Sequence, residues 1–396
     1  MATVVLKAGH IQPVWAGHPW VYAQAVQRIE GGAVAGDEVV VADPRGNYIG
    51  RGFYSPGSAI PVRILLRDRE TATDVAFFRS RLQRAVQRRR LFGLPSAETS
   101  ATRIVNSEGD DLPGLVVDAF GEVVVVQIGT VGMKRRELVI FDAIEEVLAP
   151  RAIVDRTSAQ TARTEKFTPG QGVVRGDTGL SSLSFVERGL RFELPLTLAQ
   201  KTGFYLDQRP MRGRIEQLAH GRRVLDAYSY IGAFAMAAAR GGATEVLAVD
   251  ESALALEIGA ECARSNGLIE RIRYVRGDAR ERMNLAGREG GFDLVLCDPP
   301  KFAPTRGARA GALGAYQKLA QAACRATRPG GLLLLSSCSA AVGLDALTRA
   351  LAIGAREVNV RATVLERFFQ GFDHPVLAAF PEGLYLKSVL AVVEPV

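Results

Sequence analysis

The chain has 396 residues, 47% of them hydrophobic and 23% charged. At roughly 100–200 residues per domain this predicts two or three domains, and it excludes wholesale disorder; no apolar stretch reaches the ~20 residues of a membrane-spanning helix. The net charge of +7 favours an anionic partner, nucleic acid first.

The opening segment, MATVVLKAGHIQPVW, shows no apolar signal core followed by a small-residue cleavage site, so a cytoplasmic protein is expected. Residues 1–70 read as short strands broken by turns. Val39 and Val41 alternate with their neighbours before Asp-Pro-Arg-Gly, and Ile60, Val62, Ile64 and Leu66 alternate before Arg67, which is strand periodicity with Gly and Pro punctuation. A small β-barrel fits. The cluster Gly17-His18-Pro19-Trp20-Val21-Tyr22 suits either base stacking or a plug at one end of that barrel.

Residues 71–190 open with Val75, Phe78, Leu82, Val86 and Phe92 at helical spacing, giving one apolar face. Arg79, Arg81, Arg84, Arg88, Arg89 and Arg90 cover the rest. That face serves phosphates or is simply solvated. Strands over RIVNSE, LPGLVVDAF and EVVVVQIG, a helix near 133–148 and a strand at AIVDRT complete a small α+β domain. Asp110, Asp111 and Asp118 read as turn residues.

Residues 191–396 carry the chemistry. Five apolar runs, RVLDAY, EVLAVD, IRYVRGD, FDLVLCD and LLLLSSCS, alternate with helical stretches, which predicts an α/β, parallel, doubly wound sheet. Ligands of such sheets lie beyond the carboxyl ends of the strands. Those ends are Asp226 with Tyr228, Asp250, Asp278, Asp298 and Cys338. After the first strand, Tyr228-Ser229-Tyr230-Ile231-Gly232 opens a helix whose free N–H groups can meet a ligand, with Gly232 permitting close backbone approach. G-x-G-x-x-G is absent, so a pyrophosphate lacks its usual cradle. Asp250 stands where an acid bonds ribose hydroxyls, and Asp278 could accept from an adenine amino group. A nucleoside without phosphates points to S-adenosylmethionine. The alternative is that Asp226, Asp250 and Asp278 merely cap the helices that follow them.

Asp298 is stiffened by Pro299 and Pro300 and can bond a flat heterocycle, with Phe302 able to stack on it. Lys201 and Lys301 stand out because only seven of the 49 basic residues are Lys. Cys262, Cys297 and Cys324 read as buried small hydrophobes, Cys297 facing away from Asp298 by strand alternation. Cys338 differs: in the polar turn Ser336-Ser337-Cys338-Ser339 it suits covalent attack on a pyrimidine. The four Cys show neither a disulfide framework nor metal-ligand spacing.

In order along the chain, Lys201-Thr202-Gly203-Phe204-Tyr205-Leu206-Asp207-Gln208-Arg209, then VLDAYSYIGAF, then DPPKF with SSCS, then Asp373-His374-Pro375 followed by Pro381-Glu382-Gly383-Leu384-Tyr385-Leu386-Lys387, resemble the RlmI-type family of S-adenosylmethionine-dependent rRNA methyltransferases. The likeness covers essentially the whole chain: residues 1–70 look like a PUA domain, 71–190 like the central α+β domain, and 191–396 like the Rossmann-like methyltransferase domain. The resemblance implies methyl transfer to C5 of a cytosine in 23S rRNA of the large ribosomal subunit or its precursor. Carried over by motif, Cys338 would attack C6 and Asp298 would hold N3. Phe204 and Gln208 would lie near the cofactor with Asp226, Tyr228, Gly232, Asp250, Asp278 and Asp298, while Arg209, Lys301 and Phe302 would meet the substrate.

The chain departs from that pattern in two places. Many 5-methylcytosine enzymes carry a second Cys where this chain has Pro300, so the base for the elimination step is unassigned. Asp-Pro-Pro followed by an aromatic marks exocyclic-amine methylation, but Lys301 intervenes here. Relatives with similar segments that methylate guanine lack the Cys, which makes Cys338 the discriminator. A nicotinamide-dependent oxidoreductase and a non-catalytic RNA-binding assembly factor are the alternatives from other classes. His374 before Pro375 reads as a turn residue. Nothing in the sequence sets the oligomeric state, and a homodimer stays open.

Overall fold

The computed structural model describes residues 1–198, 202–301 and 309–396, with side chains of the last stretch from 311 onward. The chain divides into two compact units. One comprises Met1–Gly189, Leu194–Leu206 and Phe372–Gly383; the other comprises Leu190–Glu193, Asp207–Gly371 and Leu384–Val396. Among the described residues no helix is long and apolar enough to cross a membrane.

The first unit holds two large sheets. Strands β1 (Thr3–Leu6), β2 (Trp20–Val21), β3 (Val26–Glu30), β4 (Glu38–Ala42), β5 (Tyr48–Tyr54) and β6 (Val62–Leu66) form a six-stranded sheet in the order β2-β6-β5-β4-β1-β3. Val4, Leu6, Val39, Val41, Val62 and Ile64 share its core, as period-two alternation requires. The strand expected from Ile60 begins only at Val62, because Pro61 has no N–H to give to a ladder. Strands β7 (Ala101–Asn106), β8 (Leu115–Phe120), β9 (Val123–Ile128), β10 (Ala152–Asp155) and β11 (Gly172–Gly176) form the second sheet, in the order β11-β10-β9-β8-β7. The short helix α1 (Ile11–Trp15) precedes β2, and the basic helix is α2 (Val75–Arg90), capped by the Asp74 side chain. The helix expected near 133–148 is two, α3 (Val131–Lys134) and α4 (Glu137–Leu148). Arg136 breaks it, leaving helical geometry with its guanidinium 3.8 Å over the Phe53 ring. Helix α5 (Ala159–Glu165) and strand β12 (Ser182–Glu187) close the unit, and β13 (Leu190–Pro195) is divided between the two units.

In the second unit, α6 (Arg209–Leu218) leads into β14 (Arg223–Ala227), α7 (Ala233–Arg240), β15 (Glu245–Asp250), α8 (Ala253–Ser265), β16 (Ile272–Arg276), α9 (Ala279–Arg288), β17 (Phe292–Cys297), α10 (Arg309–Ala326), β18 (Thr327–Ser337), α11 (Leu344–Arg356), β19 (Val360–Phe369) and β20 (Lys387–Pro395). The sheet runs β16-β15-β14-β17-β18-β20-β19. The five expected strands pair in parallel. Two further strands, β20 and β19, add antiparallel at one edge. The order reverses between β14 and β17, the switch point at which doubly wound sheets bind ligands. Leu225, Ala227, Val295, Cys297, Leu333 and Leu335 pack against residues of α9, α10 and α11, so Asp226 faces the opposite side from Cys297.

Candidate functional site

The loop after β14 is tightly constrained backbone. Tyr228, Tyr230 and Gly232 have φ of +67°, +53° and +73°, three left-handed residues out of five. Non-glycine residues adopt that region only when their surroundings hold them there. Here the Tyr230 N–H donates to Asp250 Oδ2 at 2.8 Å, the Ser229 N–H to the Val249 carbonyl at 2.8 Å, and the Gly232 N–H to the Ser229 carbonyl at 2.8 Å. A Cβ at Gly232 would stand 2.8 Å from ring and hydroxyl atoms of Tyr274. The other Asp250 oxygen accepts from the Ser252 N–H at 2.9 Å. Asp250 therefore does structural work, bracing two loops at the strand ends.

Asp226 is buried beneath this loop and accepts from the Ala235 N–H at 3.0 Å. Burial pushes its carboxyl up to about 8. The Ala235 bond works against the shift, and the negative charges of Asp298 and Asp250 add to it. Those three carboxyls are thus one electrostatic cluster across β14, β15 and β17. Asp278 is exposed and caps α9, accepting from the Glu281 N–H at 2.7 Å.

Asp298 is half-buried just past β17. The buried side-chain amide of Gln208, at the N-cap of α6, donates to its Oδ2 at 2.5 Å. Cys297 pairs with Leu335, so Asp298 and Cys338 end neighbouring parallel strands. Cys262, Cys297 and Cys324 are buried, and only Cys338 is partly exposed. Burial pushes the Cys297 thiol above its ordinary range and that of Cys324 up to about 12, so both stay neutral. Burial, with the charges of Cys338 and Asp298 adding to it, raises the Tyr316 hydroxyl of α10 above its ordinary range.

Two contacts in this unit join segments that the sequence treats separately. Tyr385 Oη donates to Asp207 Oδ2 at 2.7 Å. Lys387 is buried at the start of β20 and its Nζ donates to the Ser339 carbonyl at 2.6 Å. Sequence reasoning missed Ser229, Asp207, Tyr316, Tyr385 and Lys387 as contributors. The signal for Lys387 was present, since it is one of the few Lys residues and opens an apolar strand.

The remaining expected residues are placed as follows. Arg209 is buried in the first turn of α6, and Lys301 is exposed. Phe204 belongs to the first unit, where it is buried against Phe185 with ring centroids 5.1 Å apart. Lys201 and Phe302 lie outside the described residues.

In the first unit, Trp20 Nε1 donates to Glu108 at 2.7 Å and its ring meets Phe380 edge-on. His18 and Tyr22 both bond Glu382. Arg89 is fully buried and grips the Asp110 carboxylate with both terminal nitrogens, at 2.5 and 2.7 Å. Arg81 and Arg88 pair with Asp111. Arg79 pairs with Glu146, so four of the six α2 arginines are engaged with carboxylates of the same unit, three of them anchored by Asp110 and Asp111. Arg89 also donates to the carbonyl of Asp373, whose carboxylate takes up Thr102, the Arg103 N–H and His374. Asp373 and His374 are buried.

Residues 163–377 match the model of an S-adenosylmethionine-dependent methyltransferase family, and residues 4–67 match a PUA-like domain. Proteins named ribosomal RNA large subunit methyltransferase I from Erwinia tasmaniensis (34% identity, 97% of this chain and 98% of theirs) and Serratia proteamaculans (35%, 97% and 97%) align nearly end to end. The chain belongs to that methyltransferase family. A solved structure of a Streptococcus mutans protein proposed as an S-adenosylmethionine-dependent methyltransferase shares the fold at TM-score 0.84, with 20% identity over 99% of this chain and 100% of that one. Another, solved with S-adenosylhomocysteine bound, reaches TM-score 0.86 at the same identity and coverage.

S-adenosylmethionine is accordingly the cofactor, and the loop after β14 fits it. Ser229 is buried, and its hydroxyl has no hydrogen-bond partner among the described residues. A buried hydroxyl left unpaired costs roughly 1–3 kcal/mol, and a ligand seated at the glycine-opened helix N-terminus would supply the missing partner. The loop has no phosphate cradle, as suits a nucleoside that carries none.

Proposed function

We propose that this methyltransferase acts on large-subunit ribosomal RNA, transferring the methyl group to C5 of a cytosine, with Cys338 as covalent nucleophile and Asp298 as the group that holds the ring. The observation that carries the reading is the pairing at the strand ends. The one partly exposed cysteine and a half-buried carboxyl terminate adjacent strands β18 and β17, beside the switch point. The names of the curated relatives supply the substrate class.

In this reading Asp250, already braced by two N–H groups, holds the ribose. Asp226, Tyr228, Ser229 and Gly232 line the nucleoside, and Asp278 receives the adenine. Bound S-adenosylmethionine supplies an electrophilic methyl group. The Cys338 thiolate adds to C6 of the flipped-out cytosine. Asp298, oriented by Gln208 and carrying a proton, donates it to N3 and so neutralises the negative charge that the addition places on the ring. C5 becomes nucleophilic only after C6 is saturated. When the C5 proton is later removed, the C–H electron pair re-forms the C5–C6 double bond, the C6–S bond breaks and Cys338 leaves as thiolate. The PUA-like strands of residues 1–70 grip RNA through shape and phosphates.

Purified protein, labelled methyl donor and rRNA or subunits from a strain lacking the gene test this, with bisulfite sequencing to find the modified cytosine. A 5-fluorocytidine RNA should form an adduct with the wild type and not with Cys338→Ala. Methylation that survives Cys338→Ala would discard the covalent route; label recovered on a guanine or an exocyclic amine would replace cytosine C5.

A further inference from the structure

A buried ammonium is costly unless a counter-charge faces it. Lys387 is 4% exposed, yet among the described residues it has no carboxylate within ion-pair distance; its Nζ meets only the Ser339 carbonyl. That carbonyl belongs to the residue after Cys338. Ser337, the residue before Cys338, is the register partner of Lys387 across the β18–β20 ladder. The ammonium is therefore held against the turn that carries the nucleophile, on a central strand and not on a flexible loop. Burial lowers the Lys387 amine to about 8; negative charge at Cys338 opposes the shift, and Lys301 reinforces it. Among the described residues, Tyr316 is a further titratable group that faces Cys338, and it faces Asp298 as well.

We infer that Lys387 is a positioning residue whose buried ammonium is the counter-charge of the Cys338 thiolate, so that the nucleophile is ionised before the base arrives. The inference rests on the reading of Cys338 as nucleophile. The thiol proton passes to solvent, Lys387 keeps its three protons, and the ammonium goes on to favour the thiolate as leaving group when the C6–S bond breaks. It acts through charge and does not touch the ring.

Alkylation by iodoacetamide followed by peptide mass spectrometry reads Cys338 separately from the three buried cysteines and needs no RNA. Only the thiolate reacts, so rate against pH gives the thiol pKa. The wild type should titrate at least one unit below the ~8.5 of a free cysteine. Lys387→Met should slow alkylation at pH 7 by about tenfold, the consequence of a one-unit rise, with Lys387→Arg recovering part of the loss. A wild-type Cys338 that titrates at or above ~8.5 would overturn the inference even if the Met variant failed to fold; so would a folded Lys387→Met protein with an unchanged profile. A depressed thiol pKa in a protein that methylates no cytosine would sink the proposed function and leave the Lys387–Cys338 coupling standing.

Discussion

The side-chain amide of Gln208 donates to the carboxylate of Asp298 at 2.5 Å, so the residue that opens α6 sets the orientation of the carboxyl at the end of β17. Gln208→Leu releases that carboxyl and should lower methyl transfer by about tenfold at any pH, less than the ~10²–10⁴-fold of a positioned acid–base group because Asp298 itself is retained. Gln208→Glu instead sets like charges face to face, and the two carboxyls then share a proton. Its deficit should be larger at pH 8 than at pH 6, where the shared proton is retained. Initial rates with labelled methyl donor at the two pH values distinguish the variants. Equal deficits for Glu at both values would show that the amide does not govern Asp298.

The strand ends of the parallel sheet were legible because each apolar run stops at a polar residue, and that pattern survives without any knowledge of packing. The exposure of Cys338 was legible from its polar Ser-Ser-Cys-Ser turn, and the burial of Cys297 from its apolar strand, with alternation turning it away from Asp298. Strands β19 and β20 were not anticipated. The first alternates half-buried and exposed positions over its whole length, the weak signature of an edge strand, and pairing there is decided by a partner distant in sequence. For the same reason the sequence could not show that Gln208 reaches Asp298, or that Asp373 and His374 serve the Arg89 cluster of the first unit. Asp278 and Asp250 were read as ligand groups, with helix capping as the alternative. The structure supplies the cap at Asp278 and a loop brace at Asp250, roles that a carboxylate with several lone pairs can combine with a ligand.

The buried Asp226 carboxyl makes stability depend on pH in a defined direction. Its folded pKa, near 8, lies above the ~4 of an unfolded aspartate. Between those values the folded state binds more protons than the unfolded state. This contribution is therefore fully present below about pH 4 and is lost as pH rises through about 8. Asp226→Asn keeps an acceptor for the Ala235 N–H and removes the titration. The variant should match the wild type near pH 4 and melt progressively higher than it as pH rises toward 9. Thermal melts of the ligand-free protein across that range check it, and parallel curves would show that Asp226 does not titrate there.

Arg89 and Asp110 are a fully buried, bidentate ion pair in the first unit. Removing one partner strands the other charge in the interior, which typically costs 3–5 kcal/mol. Arg89→Met should therefore destabilise the protein by about that amount, read as a lower urea midpoint. Arg89→Met combined with Asp110→Leu should recover only part of it, because Asp110 also accepts from Arg88 and from the Asn106 N–H. A loss below ~1 kcal/mol for the single variant, the scale of an exposed pair, would mean that the carboxylate finds water or another donor.

Ser229 separates stability from cofactor binding. Its hydroxyl is buried and has no partner among the described residues, so no protein group there offsets its desolvation. Ser229→Ala removes that burden, and the variant's melting temperature should equal or exceed the wild type's. If the hydroxyl meets S-adenosylmethionine, the same substitution deletes one neutral hydrogen bond, worth about 0.5–1.5 kcal/mol, and weakens binding roughly 2- to 12-fold. Calorimetric titration with S-adenosylhomocysteine, paired with a melt of the ligand-free protein, reads both quantities. An unchanged Kd, or a variant that binds normally but melts lower, would show that the Ser229 hydroxyl bonds the protein or an ordered water and not the cofactor.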